Sequence, residues 1–163
     1  MVPHIEVRQV NYRKQEDVQA LLTLLDMYAQ DPMGGGTPLA ADVKSRLCHD
    51  LPDFPGAYSA IAWLEHRPVG LINAFMGYST FKARPLMNVH DIAVVPACRG
   101  QGIGQALLGA LENHARAQGC CKITLEVLSG NRQAMRAYEH NGFEQYALSP
   151  ETGQALFMQK WLS

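Results

Sequence analysis

Residues 89–108 read VHDIAVVPACRGQGIGQALL. The β-branched run at their start predicts a strand that Pro96 stops, and the apolar spacing at their end predicts a helix. Between them, Gly100, Gly102 and Gly104 alternate with longer side chains. A glycine costs about 0.5–1 kcal/mol relative to alanine inside a helix. Three glycines so close to the start of a helix therefore indicate that a ligand approaches the backbone there.

Glycine-rich turns between a strand and a helix bind phosphate, because free N–H groups and the helix dipole favour an anion. The P-loop needs Lys-Ser/Thr after its last glycine, but Gln105 and Ala106 follow Gly104. The dinucleotide fingerprint GxGxxG needs glycine where Gln105 stands, and no acidic residue follows at the required distance. The remaining pattern is Arg-x-x-Gly-x-Gly, formed by Arg99, Gly102 and Gly104.

A second segment, SGNRQAMRAYEHNGF at 129–143, follows the glycine-rich one. Asn131 and Tyr138 are seven positions apart, close to two helical turns, so they share one helix face. Ala134 lies between them and is small enough for a ligand to press against that face. This segment predicts a second binding element.

The whole chain predicts a mixed α/β sheet protein in one domain, 1–163. We expect strands at His4–Val10, Ala57–Leu64, Val69–Phe75, Leu86–Val95, Lys122–Leu128, Phe143–Tyr146 and Ala155–Trp161. We expect helices at Glu16–Gln30, from a cap at Thr37-Pro38 to about Cys48, over 102–119, and at Asn131–His140.

Composition excludes several classes of function. The chain has 163 residues, 47% hydrophobic and 18% charged, with a net charge of −1, which does not favour nucleic-acid binding. No apolar run approaches the ~20 residues of a membrane span, and no secretory signal precedes the first strand. The four cysteines form no paired CxxC spacing, so we expect no metal site. Reduced thiols predict a cytoplasmic protein.

Together, the two segments resemble the GCN5-related N-acetyltransferase (GNAT) family, from about Val89 to Phe143. The resemblance implies a mostly antiparallel mixed sheet with a splayed, V-shaped gap, about four flanking helices, and acetyl-CoA as acetyl donor. The glycine loop would hold the pyrophosphate, strand backbone would pair with the pantetheine arm, and Asn131 would hydrogen-bond that arm. Arg99 could reach a phosphate or cap the loop. The implied acetyl-CoA-binding residues are Ile92, Ala93, Val94, Arg99, Gly100, Gln101, Gly102, Ile103, Gly104, Gln105, Asn131 and Ala134.

The resemblance also implies catalytic residues. Tyr138 would donate a proton to the leaving thiolate. A free amine has a pKa of about 10.4, so its proton needs an acceptor. Glu126 matches the base position of enzymes that acetylate ribosomal-protein N-termini, and His90 stands where polyamine acetyltransferases carry a glutamate. Glu126 ranks first, His90 second and Asp91 third, with a water chain shared by Glu126 and His90 as a further alternative. Regular alternation would point Asp91 away from His90.

We expect direct attack of the amine on the thioester, without an acyl-enzyme. The rival is an acyl-enzyme on Cys98, which stands in the turn beside the glycine loop. The predicted acceptor is a small-molecule primary amine. The alternatives are a peptide N-terminus, or a non-catalytic acetyl-CoA-binding module.

The rim of the site that binds the acceptor amine, here called the acceptor rim, is predicted to contain QDPMGGGTPLA at 30–40 and GYSTFKARPLM at 77–87. The first-half loops lack the acidic cluster that a polycation would need. The apolar C-terminal run ALFMQKWL, 155–162, is predicted to pair across a homodimer.

Overall fold

The computed structural model describes residues 3–163. Its five-stranded sheet has the order β1-β2-β3-β4-β5, antiparallel except for the parallel β4–β5 pair. The strands are β1 Ile5–Gln9, β2 Ala57–Leu64, β3 Arg67–Ser79, β4 Arg84–Val94 and β5 Ile123–Leu125. The helices are α1 Gln15–Gln30, α2 Ala41–Asp50, α3 Ile103–Ala117 and α4 Arg132–His140. The described chain forms two compact units, one ending at Leu125 and the other spanning Glu126–Ser163.

In the first unit, helices cover both faces of the sheet. The apolar stripe of α1 packs with Ile61, Trp63 and Leu71 in one hydrophobic cluster, which also takes in Cys48 of α2. The opposite face receives α3, whose Ile103 lies so close to Gly70 that a Cβ added there would be 2.8 Å from its Cγ2 atom. Consecutive strand residues point to opposite faces of the sheet. The continuous apolar runs of β2 and β3 therefore present apolar side chains to the helices on both faces.

Strand β4 has a bulge and a free edge, and both position the site. Its register with β3 pairs Asp91 with Asn73 and Val89 with Ala74, which leaves His90 as an extra residue. Pairing with β5 ends at Val89. Within residues 3–163, the segment 90–94 therefore has β3 as its only strand neighbour. This open sheet is the mixed, mostly antiparallel fold that the sequence implied.

Three predicted boundaries were wrong by three residues or more. Helix α2 begins at Ala41 and not at Thr37, because Asp26 accepts the Leu39 N–H (2.8 Å) and holds the preceding segment extended. Strand β3 continues to Ser79, since the β3–β4 hairpin pairs as far as Arg84. Strand β5 stops at Leu125 instead of Leu128, where its ladder with β4 ends.

The two C-terminal strands predicted at 143–146 and 155–161 are not formed in the described structure. Apart from the half-buried Phe143, their apolar side chains are exposed, and a short 3-10 turn, Pro150–Thr152, lies between them. An apolar run becomes a strand only when a neighbouring strand supplies hydrogen bonds and packing, because β-propensity depends on context.

Candidate functional site

The glycine loop leaves the start of α3 uncapped. Gly100 and Gly102 have φ angles of 77° and 82°, a left-handed conformation that favours glycine. Gly102 occupies the N-cap position, and no side chain there accepts a hydrogen bond from the helix. A Cβ added at either residue, or at Gly104, would meet no atom within 4 Å. Open space therefore adjoins the uncapped start of α3, and the loop fits an anionic group such as a pyrophosphate.

Arg99 holds this loop in place. Its Nε donates to the Val94 carbonyl oxygen (3.3 Å), and its guanidinium lies 3.5 Å from the Asp31 carboxylate. The contacts join the loop to the end of β4 and to the segment after α1. They are contacts of the loop-capping kind, and the alternative role of Arg99 toward a phosphate stays a prediction.

The free edge of β4 lies directly before the loop. Ile92, Ala93 and Val94 are half-buried and belong to the segment without a β5 partner. An edge strand presents unpaired N–H and C=O groups, and these bind an extended, amide-containing chain as though it were another strand. The backbone of residues 92–94 can therefore bind an extended, amide-containing chain whose anionic end lies at the start of α3.

The bulge places His90 and Asp91 on the same side of the sheet. The His90 ring packs edge-on against Phe75 with centroids 4.8 Å apart, while Asp91 accepts a hydrogen bond from Asn73 (3.1 Å). Phe75 and Asn73 are two residues apart on β3 and share one face. The prediction that Asp91 points away from His90 was wrong, because the extra residue interrupts the alternation of β4.

A directed chain of hydrogen bonds ends at Asp91. The Ser59 hydroxyl donates to the Asn73 side-chain oxygen (2.6 Å), and the Asn73 amide donates to Asp91. Since the one Ser59 proton is used, Tyr12 must donate in its 2.7 Å bond with Ser59. Sequence reasoning missed this chain, although Ser59 and Asn73 stand as polar residues inside the apolar runs AYSAIAWL and LINAF.

The carboxyl group of Asp91 is partly desolvated. Burial raises its pKa above the ordinary value, and the Asn73 hydrogen bond and the nearby His90 act in the opposite direction. Burial also raises the pKa of the Tyr28 phenol, as do the negative charges of Asp91 and Asp31. Asp91 is therefore a carboxyl group of this site whose proton affinity the fold has raised.

A cavity of about 460 Å³ lies next to the bulge. Its lining is mainly apolar and contains Leu47, Asp50, Leu51, Phe54, Phe75, Met76 and His90. Another cavity, of about 660 Å³, lies around the β1–α1 turn and the segment before β2, but none of the predicted site residues lines it. The smaller cavity is therefore the candidate acceptor pocket.

The remaining predicted residues belong to the second unit. The Asn131 side chain accepts the Ala134 N–H (3.2 Å) and so caps α4, a role that asparagine before a helix also predicts. The Tyr138 ring packs against Phe143, with centroids 5.9 Å apart. Glu126 is exposed and directly follows β5. Asn131, Ala134 and Tyr138 lie on one side of α4, as their spacing predicts.

Among residues 3–163, no group of three or more His, Cys, Asp or Glu side chains is arranged to hold a metal ion. The helices of that part of the chain are too short or too polar to cross a membrane. All four cysteines are free thiols.

Comparison with known proteins places these features in context. Residues 21–143 match the family model described as the acetyltransferase (GNAT) family. The chain is 31% identical over 77 residues to the uncharacterized N-acetyltransferase YhfO of Bacillus subtilis (strain 168), covering 47% of this chain and 52% of that protein. It is 38% identical over 68 residues to thialysine N-epsilon-acetyltransferase of Bos taurus, covering 42% of this chain and 39% of that protein.

The matches thus span about half or less of these relatives' lengths. A solved structure, AAC(6')-Iy in complex with the bisubstrate analog CoA-S-monomethyl-acetylneamine, superposes with a TM-score of 0.78 at 18% identity. That superposition covers 97% of this chain and 99% of the other, and it shows a common fold.

Proposed function

The chain belongs to the GNAT acetyltransferase family, and on that premise we propose that it transfers an acetyl group from acetyl-CoA to a primary amine of a small molecule. The observation that carries the proposal is the arrangement along residues 90–104. A strand edge without a partner leads directly into an uncapped helix start with three glycines. One face of this arrangement suits the amide-containing arm and pyrophosphate of CoA, and the adjoining cavity can take the amine.

Named relatives support an amine acceptor. The bovine relative is a thialysine N-epsilon-acetyltransferase, and the structure similar in fold carries a CoA–acetylneamine analog. Both names describe acetylation of amino groups on small molecules. The proposed compartment is the cytoplasm, because free thiols such as the four of this chain persist where glutathione keeps thiols reduced.

Acetyl-CoA supplies an activated thioester when bound, and the chain then has three tasks. The N–H groups of β4 near Ile92 polarise the thioester carbonyl. His90, which lines the cavity, accepts the proton of the attacking amine, and the Asp91 carboxylate stabilises the resulting imidazolium. Tyr138 protonates the departing thiolate. Glu126 is the alternative proton acceptor.

The proposed function is tested by mixing the purified chain with acetyl-CoA and a panel of amines while free thiol is measured. Turnover with small amines supports the proposal. Turnover only with peptides bearing a free N-terminus supports a peptide N-terminal acetyltransferase, which the Glu126–Tyr138 spacing favours. CoA binding by calorimetry without turnover on any acceptor would identify a non-catalytic module.

Tyr138→Phe is expected to lower kcat about tenfold at neutral pH. The loss is moderate because a thiol with a pKa near 8.5 leaves as a thiolate without full protonation. Initial rates with acetyl-CoA and the best amine measure it, and thermal melting checks that α4 and the contact with Phe143 survive. Unchanged kcat in a folded variant would remove Tyr138 from the mechanism.

We also propose that two copies of the chain associate through the C-terminal run 155–162. Its large apolar side chains, Leu156, Phe157, Met158, Trp161 and Leu162, are 76–93% exposed. Burying each would contribute roughly 1.5–3 kcal/mol, and contiguous exposed apolar surface marks an association site. Both faces of the run are apolar, as in a strand covered on two sides.

The double variant Phe157→Asp/Trp161→Asp is expected to be monomeric, whereas the unaltered chain has twice the mass of one copy. Light scattering coupled to size-exclusion chromatography measures both. Phe81→Asp is the matched control, because Phe81 is 97% exposed but lies in the β3–β4 hairpin. A monomeric unaltered chain, or a control that dissociates equally, would contradict the proposal.

A further inference from the structure

We propose that the acceptor amine is carried on an apolar, preferably aromatic, body with few other polar groups. This inference rests on the proposed function and names the substrate class of the same site. Its basis is the cavity of about 460 Å³ at the β4 bulge, whose volume lies in the range of small-molecule sites.

A row of aromatic rings runs from the rim of this cavity to the imidazole. Phe54, 58% exposed, packs edge-to-face against Phe75 with centroids 5.4 Å apart. Phe75 in turn packs edge-on against His90 at 4.8 Å. A flat apolar body lying along this row gains the edge and stacking contacts that aromatic pairs prefer. The amine at its end would then lie at His90.

The polar groups of the cavity are too few for a sugar or polyamine. Asp50 and His90 are the titratable residues of the lining, and the other five side chains are Leu47, Leu51, Phe54, Phe75 and Met76. The Asp50 side chain is 61% exposed and already lies 3.4 Å from the His49 ring. Each hydroxyl or ammonium of a hydrophilic acceptor would lose water without gaining a partner, which disfavours its binding.

The experiment compares phenethylamine with neamine, spermidine and a peptide with a free N-terminus, using thiol release from acetyl-CoA. We expect kcat/KM for phenethylamine to exceed that for neamine and spermidine by about tenfold or more. A preference for neamine or spermidine would overturn this inference and leave the proposed function standing. Peptide-only turnover would overturn both.

Phe54→Ala tests the aromatic row. It is expected to raise KM for phenethylamine about tenfold and to change kcat less than about twofold, because Phe54 lies at the rim, away from the reacting atoms. Phe54→Leu, which keeps apolar surface, should recover part of the loss. Tyr146→Ala, which removes a ring of similar exposure (60%) outside the predicted acceptor rim, should leave KM unchanged. Equal KM values in all three variants would contradict the assignment.

If no amine is turned over, a binding experiment still tests the aromatic acceptor. Phenethylamine titrated into the CoA-bound chain should shift the NMR signals of the His90 imidazole, and neamine should not. The shift should weaken in Phe54→Ala and persist in Tyr146→Ala. Absence of any shift with phenethylamine would reject the aromatic acceptor, whereas a shift without turnover would reject only the catalytic proposal.

Discussion

Asp91→Asn is expected to lower kcat/KM for the acceptor amine by about 10²- to 10³-fold, in the range that general acid–base groups contribute. The carboxylate stands beside His90 on the bulged strand and stabilises the imidazolium that forms as the amine loses its proton. Asparagine has the same shape and its side-chain oxygen can still accept the hydrogen bond from Asn73. The substitution thus removes charge and preserves the hydrogen bond.

The stability of the Asp91→Asn variant distinguishes a role of Asp91 in the reaction from a role in supporting the fold. Because burial raises the pKa of Asp91 in the folded chain, the folded state holds a proton that the unfolded state releases. Stability therefore falls as pH rises from the ordinary carboxyl pKa through the folded one, and above it the buried charge remains a cost. Asparagine removes that cost, so the melting temperature at pH 7 should be unchanged or higher. A lower melting temperature would indicate that Asp91 supports the fold.

The pH profile gives a second readout. With Asp91 present, kcat/KM should fall more steeply as pH drops through the raised pKa of Asp91 than it does in the Asp91→Asn variant. The charged and titratable groups around Asp91 include His90, Asp50, Tyr12, Tyr28, Asp31 and Arg99. Of these, Tyr28 has a raised pKa, so it stays neutral in the acidic range.

Glu126→Gln is the matched comparison, since it makes the same carboxylate-to-amide change at the rival proton acceptor. We expect its kcat/KM to stay within about threefold of the unaltered chain. A large loss in Glu126→Gln together with a small one in Asp91→Asn would transfer the proton-accepting role to Glu126. Large losses in both would indicate a shared path for the proton.

The prediction made from the sequence differs from the structure at this site mainly because β4 has a bulge. The alternation of β4 was predicted from VHDIAVV as though the strand were regular, which pointed Asp91 away from His90. A bulge depends on the register with β3, and register is a property of two strands that local pattern does not contain. The Tyr12–Ser59–Asn73–Asp91 chain was missed for the same reason, because its members come from separate parts of the sequence.

The elements of the first unit were more predictable. Helix α3 and strand β2 have strong periodic or apolar patterns and lie where those patterns predicted them, apart from α3 ending at Ala117. The glycine loop could be recognised because left-handed residues at a helix start need glycine, which is a local requirement. The C-terminal run 155–162 was predicted as a strand from composition, although a strand requires a neighbour.

Gly102→Ala is expected to weaken acetyl-CoA binding by roughly a hundredfold, the loss of about two charge-assisted hydrogen bonds. The added methyl would project into the open space at the uncapped start of α3, where no atom of the chain lies within 4 Å. It would therefore displace the pyrophosphate from the N–H groups without striking the protein itself. Isothermal titration with acetyl-CoA measures the change in affinity.

Backbone strain must be separated from this effect, because Gly102 has a φ of 82°, where alanine costs about 1–2 kcal/mol. Gly119, just beyond the other end of α3, supplies the control. Its φ is 74°, and an added Cβ there also meets nothing within 4 Å. Gly119→Ala should thus lower the free energy of unfolding by a similar amount and leave acetyl-CoA affinity unchanged. If both variants lost affinity equally, strain would explain the loss and the loop would not be the pyrophosphate site. Affinity lost only in Gly102→Ala would mean that the space above Gly102 is occupied by the ligand, since both substitutions place a Cβ in open space at a left-handed residue.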